Sequence, residues 1–268
     1  MKRELRPAAR TYSVPATLKP LLCAAVVSAL GALAPAQAEV ITFDSVTNIV
    51  SGTLKPGDTA YNTGDAFTQG GYQFRANNSA TADPSDYGVV GALVDSDNSF
   101  ACLVTGCPNG TGSTYYAGLN DGSLTVTGAS PLGFTVSGLK YAFVAPLDGL
   151  ADFSYGRLLL TGITSTGASF STGGDFAGQG ANNRFDFADF LFDASFATTA
   201  FTSLTISACL FDVSGDCIDV HELTRNQAQF AIDDLVLNAA AAVPEPGTIA
   251  LLLMGMAGLG AASRRRVL

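Results

Sequence analysis

The 268-residue chain is predicted to be all-β, with its central part folded as a single β-sandwich. Three observations carry that expectation. Short runs rich in Val, Ile, Thr, Tyr and Phe recur about every ten residues, the spacing of sandwich strands. Turn-forming pairs stand between them, among them Asp121-Gly122, Gly173-Gly174 and Ser214-Gly215. No long apolar stripe at helical spacing precedes residue 247.

Taken in order, the predicted strands are Val40–Phe43, Tyr72–Ala76, Phe100–Val104, Ser123–Thr127, Gly133–Val136, Leu139–Val144, Arg157–Thr161, Ser169–Thr172, Arg184–Phe187, Ser203–Leu210 and Gln229–Leu237. The last departs from strict alternation. Its large apolar residues fall at Phe230 and Ile232 and then at Leu235 and Leu237, so a bulge at Asp233-Asp234 is expected to reset the phase. Near Phe187–Phe192 and His221–Asn226 the sequence allows a single helical turn. No fixed-period repeat is present, which excludes a solenoid or propeller.

Both ends of the chain read differently from its middle. Residues 1–20 carry Lys2, Arg3, Arg6, Arg10 and Lys19 against Glu4, and Leu21–Leu33 is apolar. Ala34-Pro35-Ala36-Gln37-Ala38 then ends in the small-x-small pattern read by signal peptidase, so cleavage is expected after Ala38. At the other end Val243-Pro244-Glu245-Pro246-Gly247 precedes an uncharged run, Thr248–Ala262, and Arg264-Arg265-Arg266 closes the segment. The prolines forbid regular helix before the run. In lipid the run can satisfy its backbone only as a helix, and the arginines stay on the cytoplasmic side. At ~1.5 Å per residue the run spans roughly 22 Å, short of the ~30 Å hydrocarbon core. Gly255, Gly258 and Gly260 weaken it further, so a transient stop fits better than a permanent anchor.

This order of motif, helix and basic cluster resembles the PEP-CTERM sorting signal of Gram-negative bacteria. The resemblance implies an exported precursor held in the inner membrane, handled by exosortase, and delivered to the cell surface and its exopolysaccharide matrix. A tail of this kind also ends some ice-binding proteins. The domain plan is then a signal peptide over 1–38, a sandwich over 39–237, a linker over 238–243 and the sorting signal over 244–268 with a membrane helix over 248–262. More loosely, Val40-Ile41-Thr42-Phe43-Asp44 and Phe230–Leu237, with Cys102–Pro108, Tyr115-Tyr116 and Asn120-Asp121-Gly122 between them, resemble PEP-CTERM proteins with a jelly-roll-like sandwich. Terminal strands pair in those proteins.

Between residues 39 and 243 six Lys and Arg face 21 Asp and Glu, a net charge of −15. Such a surface disfavours nucleic acid and anionic lipid and suits divalent cations or neutral matrix components. Cys102, Cys107, Cys209 and Cys217 lie in an exported segment where disulfides persist, and proximity favours Cys102–Cys107 and Cys209–Cys217. Zinc is a weak alternative, since neither pair has CxxC spacing and His221 is the only histidine. Calcium is a possible cofactor: Asp44 on the first strand and the Asp233-Asp234 bulge on the last supply oxygen ligands, or else merely accept backbone hydrogen bonds. Asp95-Ser96-Asp97-Asn98 reads as a solvated turn.

No serine sits in a nucleophile-elbow context, and a Cys209–Cys217 disulfide removes the only cysteine nucleophile near His221. The sequence therefore points away from an enzyme and toward a structural or adhesive surface protein. The alternatives are a carbohydrate-binding module with Tyr115 and Tyr116 as stacking platforms and, more remotely, an ice-binding protein using Thr125-x-Thr127 and Thr164-x-Thr166. Replacing Pro244-Glu245-Pro246 by alanines is expected to leave export intact and strand the protein in the inner membrane. Cell fractionation reads this, and unchanged surface delivery refutes the sorting assignment.

Overall fold

The computed structural model describes residues 38–50, 54–79, 88–95, 107–109, 112–145, 150–180, 183–218, 227–240 and 255–256. Two seven-stranded antiparallel sheets face each other in a jelly-roll-like sandwich. Sheet A is built from β1 (Ala38–Ile41), β3 (Ala60–Asn62), β6 (Val89–Val94), β7 (Tyr115–Gly118), β9 (Phe134–Phe143), β12 (Ala188–Asp189) and β14 (Phe230–Ala239). Sheet B is built from β2 (Thr47–Ile49), β4 (Ala66–Gln69), β5 (Tyr72–Asn77), β8 (Ser123–Gly128), β10 (Gly156–Ile163), β11 (Ser169–Asp175) and β13 (Ser203–Leu210). One short helix, α1 (Ala194–Thr198), packs against β9 and β11.

Sheet A runs β12-β9-β14-β7-β6-β3. Its long central strand, β14, pairs with β9 along one side and changes partner along the other. Phe230, Ala231 and Ile232 face Gly118, Ala117 and Tyr116 of β7, whereas Leu235 to Asn238 face Ile41 to Ala38 of β1. The ladder with β9 shifts register between Asp233 and Val236, and Asp234 sits in the left-handed region at φ 49. This is the bulge expected from the phase change, and it returns Leu235 and Leu237 to the core side.

Sheet B runs β11-β10-β13-β8-β5-β4-β2. Its strands keep the period-two pattern, with Leu158, Leu160, Leu204, Ile206, Leu124, Val126 and Phe74 buried between the sheets. Aromatic rings fill the space. Phe67 stacks on Phe74 at 5.0 Å, and Phe43 meets Phe74 edge-on at 5.8 Å. Phe43 adopts φ 59 just after β1, and its N–H donates to Gln69 Oε1 at 3.1 Å, so the chain leaves sheet A with the ring turned into the core. Glycine makes room for two of these rings. A side chain at Gly91 would occupy the space of the Tyr116 hydroxyl, and one at Gly118 that of the Phe230 ring.

Several expectations from sequence need adjustment. Gly133–Val136 and Leu139–Val144 form one continuous strand, β9. Arg184–Phe187 makes isolated bridges from Phe185 to Gln179 and from Asp186 to Asn109 rather than a strand. The single helical turn falls at Ala194–Thr198, past Phe187–Phe192. The predicted strand Phe100–Val104 and the turn at His221–Asn226 lie outside the described residues. β2, β3, β4, β6, β7 and β12 were not expected.

Tyr116 and Tyr141 offer a test of how the core handles hydroxyls. Tyr116 is fully buried and its hydroxyl has no hydrogen-bond partner among the described residues, so burial pushes its ionisation far up. The Tyr141 hydroxyl donates to the Asp175 carbonyl at 2.8 Å. Tyr116→Phe is expected to raise stability by about 1 kcal/mol and Tyr141→Phe to lower it by a similar amount, measured by denaturant unfolding.

Candidate functional site

The predicted calcium residues converge on the place where β1 ends and β7 begins, side by side along β14. The Thr114 N–H donates to Asp44 Oδ1 at 2.8 Å, and Ser113 Oγ donates to Asp233 Oδ2 at 2.7 Å. Asp233 is wholly buried, and its Oδ1 accepts the Asp234 N–H at 2.8 Å. Asp234 turns instead to Lys140, 2.8 Å away, and that hydrogen bond raises the Lys140 ionisation. The described residues contain no group of three Asp, Glu, His or Cys set to hold a metal ion. Asp233 thus fastens Ser113 to the bulge, Asp44 fastens Thr114 to the chain leaving β1, and Asp234 pairs with a cation.

Cys209 and Cys217 are joined by a disulfide with a Cα–Cα distance of 5.5 Å. It closes a loop in which Asp212 Oδ1 accepts the N–H groups of Ser214 (2.8 Å) and Asp216 (3.0 Å). Cys107 is also disulfide-bonded, while Cys102 lies outside the described residues. Tyr115 and Tyr116 lie on β7 and are 3% and 0% exposed, so neither offers a face to a sugar. Tyr115 packs edge-on against Phe187 at 5.3 Å.

Sheet A is covered on both faces where β6, β7, β14 and β9 lie side by side, whereas beside β1 its outer face is open at Val40 and Ser137. Ala92, Ala117, Ala231 and Ala142 lie opposite one another across β6, β7, β14 and β9, on the face away from the core. They are buried under a second apolar cluster that includes Val94, Leu119 and Val144, with Phe187 packed on it. Sheet B has one covered face and one open one.

That open face is a lattice of hydroxyls. One row runs Thr47, Thr68, Gln73, Thr127, Ser203, Ile163 and Ser169 across the seven strands. The next contains Arg75, Thr125, Thr205, Thr161 and Ser171 in register. Thr125 and Thr205 hydroxyls are 3.3 Å apart, those of Thr161 and Ser171 3.1 Å, and Asn77 donates to Thr125 at 3.0 Å. At one end Arg157 Nε donates to Asp175 Oδ1 at 2.6 Å, and its guanidinium lies over the Phe211 ring at 5.5 Å. At the other end a cleft of about 560 Å³ opens over Thr47, Thr68, Gln73 and Thr127 beside the Gly70-Gly71 turn. Thr164 and Thr166 are not part of the lattice. They sit at the β10–β11 turn with their hydroxyls bonded to each other at 2.9 Å.

Residues 242–266 match the PEP-CTERM protein-sorting motif. The chain is an exosortase-sorted surface protein. Its precursor is exported and membrane-anchored. Val243, Pro244, Glu245, Pro246, Arg264, Arg265 and Arg266 lie outside the described residues, as does most of the predicted membrane helix over 248–262; Gly255 and Met256 within it are helical. Among the described residues no helix is long and apolar enough to cross a membrane. A search of curated proteins finds no match.

Among solved structures, a DUF4465 family protein from Bacteroides caccae is similar at 11% identity over 75% of this chain and 98% of that one, with a TM-score of 0.41. TmCBM61 in complex with β-1,4-galactotriose is similar at 11% identity over 61% and 86%, with a TM-score of 0.31. The family 11 carbohydrate-binding module of a Clostridium thermocellum cellulosomal cellulase is similar at 9% identity over 79% and 100%, with a TM-score of 0.30. Likenesses at this level assign no ligand.

The junction of β1, β7 and β14 yields its own test. Asp233→Ala removes the acceptor of Ser113 Oγ and of the Asp234 N–H, and is expected to cost roughly 1.5–3 kcal/mol in chemical unfolding. Asp44→Ala, at an exposed position, is expected to cost less. A smaller loss at Asp233 than at Asp44 refutes the fastening role.

Proposed function

We propose that the exported domain is a non-catalytic structural and adhesive protein that holds neutral exopolysaccharide on the open face of sheet B. The observation that carries this reading is the in-register lattice of threonine and serine hydroxyls on that open face. Hydroxyls and amides both donate and accept, which suits a ligand made of hydroxyls. The few charges on the face are Arg75 and the mutually neutralised Arg157–Asp175 pair, so an uncharged polymer meets little desolvation cost. Each contact replaces bonds to water and contributes little, and a polymer spanning many rows gains by multivalency. Without an exposed aromatic platform in the lattice, short oligosaccharides should bind weakly and long chains well.

A second reading rests on the same regularity. Hydroxyls recur about every 4.8 Å across the strands and about every 6.8 Å along them, a two-dimensional pattern of the kind that could template ordered water. Ile163 and Arg75 interrupt the rows, which favours the glycan.

Affinity electrophoresis in gels containing neutral polysaccharide tests the first reading. Thr125→Val, Thr161→Val and Thr205→Val together keep side-chain shape and remove three hydroxyls. The triple variant is expected to lose retardation while its melting temperature stays within a few degrees. Equal retardation of both proteins overturns the proposal, and thermal hysteresis in the parent alone favours ordered water.

A further inference from the structure

The chain enters and leaves the sandwich side by side. Ala38 lies opposite Asn238, and the Ala240 N–H donates to the Gly133 carbonyl at 2.9 Å. Strand pairing carries that end across both sheets: Phe134 faces Ala239 and Phe201, Ser203 faces Ile163 and Thr127, Ile163 faces Ser169, and Tyr72 faces Gly128. The segments gathered there are residues 69–72, 128–133, 163–169, 198–203 and 238–240, and none contains Asp, Glu, Lys or Arg. Among the described residues the charge that reaches this end is Glu39, whose side chain lies against Gly70. A domain of net charge −15 thus keeps its acids off one end, and Leu132 stands 48% exposed on the turn over 128–133. Phe153, Leu191 and Val213 are more exposed, but acids stand beside each of them in the chain: Asp152, then Asp189 and Asp193, then Asp212 and Asp216.

We propose that this uncharged end rests on the lipid surface while the precursor is anchored. Three properties single out that occupant. The sorting tail leaves from this end, so the bilayer is the surface to which the end is tethered. The tether is also short. From Ala240 to Thr248, where the apolar run begins, the extended chain spans at most about 28 Å. β14 alone rises roughly 31 Å over its ten residues, and the chain beyond Phe230 adds to the domain's length, so the tether cannot bring the far end to the membrane. Finally, an end without carboxylates approaches phospholipid without their desolvation and repulsion, and Leu132 offers the interface an apolar tip. The strands then stand along the membrane normal, and the hydroxyl face of sheet B points sideways, clear of lipid. The contact does not depend on what that face binds.

The chain contains no tryptophan, so a single introduced indole reports its own surroundings. Leu132→Trp places one at the uncharged end, and Val213→Trp places the same group on the loop closed by Cys209 and Cys217 at the far end. Each chain, anchored by its own sorting tail, is reconstituted in phosphatidylcholine vesicles with brominated acyl chains, and flotation verifies the anchoring. Fluorescence of Leu132→Trp is expected to be quenched several-fold more than that of Val213→Trp. Adding Ala129→Asp, a charge at an exposed position of the same turn, is expected to abolish the excess with little change in melting temperature. Equal quenching at the two positions overturns the proposal, as does an excess that survives Ala129→Asp. Shielding of the Leu132→Trp indole that appears only when exosortase is added assigns this end to a protein partner and overturns it as well.

Discussion

The fold depends on the change of partner along β14. This strand lies at the centre of sheet A, bonded to β9 on one side and to two different strands on the other. Where β7 gives way to β1 the ladder must absorb an irregularity, and the bulge at Asp233–Asp234 does so. A bulge in a buried strand strands polar groups, and leaving them unpaired would cost several kcal/mol in total. The Asp233 carboxylate meets that demand within the site, accepting from its own strand and from Ser113. Asp44 fastens the next residue, Thr114. The acids that look like metal ligands in the sequence are placed to hold two strand ends together.

The two sheets divide the work between them. Sheet A is covered on both sides around β6, where Val89-Val90-Gly91-Ala92-Leu93-Val94 has no polar alternation because neither face meets bulk water. The alanine row across β6, β7, β14 and β9 is narrow enough for a second layer to settle on it. Sheet B keeps its alternation because one face stays wet. Burial decides which sheet can recognise anything. The centre of the first sheet is sealed, and the second presents an open face with the hydroxyls it carries.

This division also explains how much the sequence disclosed. Half-buried strands were legible: Tyr72–Asn77, Ser123–Gly128, Gly156–Ile163 and Ser203–Leu210 emerge from their alternation with small errors at the ends. So did the bulge, because a phase change needs no partner to be seen. The doubly buried β6 and β7 were lost, since an apolar run without alternation carries no strand period. Tyr115-Tyr116 was misread for the same reason, as two adjacent aromatics can serve two buried faces of one strand. The hydroxyl lattice was hidden more deeply. Thr125 and Thr205 touch across 80 residues of sequence, and Thr161 joins them only through the register of a third strand. Local sequence shows the isolated Thr-x-Thr pair, and only topology turns it into a row.

The order of strands bears on when that surface can exist. β14 is the last strand before the sorting tail, yet it forms the centre of sheet A and pairs with β1, the first strand, through Ala38 opposite Asn238. Sheet A therefore cannot close until nearly the whole domain is available, and such long-range pairing makes folding slow relative to helical chains. Sheet B, by contrast, is assembled from β2 through β13 and lacks no strand that arrives later. Its inner face, however, stays exposed until sheet A covers it. The face proposed for recognition thus acquires its rigidity from a strand on the opposite sheet, fixed only after residue 239 has been delivered. Closure and sorting are neighbouring events along the chain, because the sorting motif begins at residue 242.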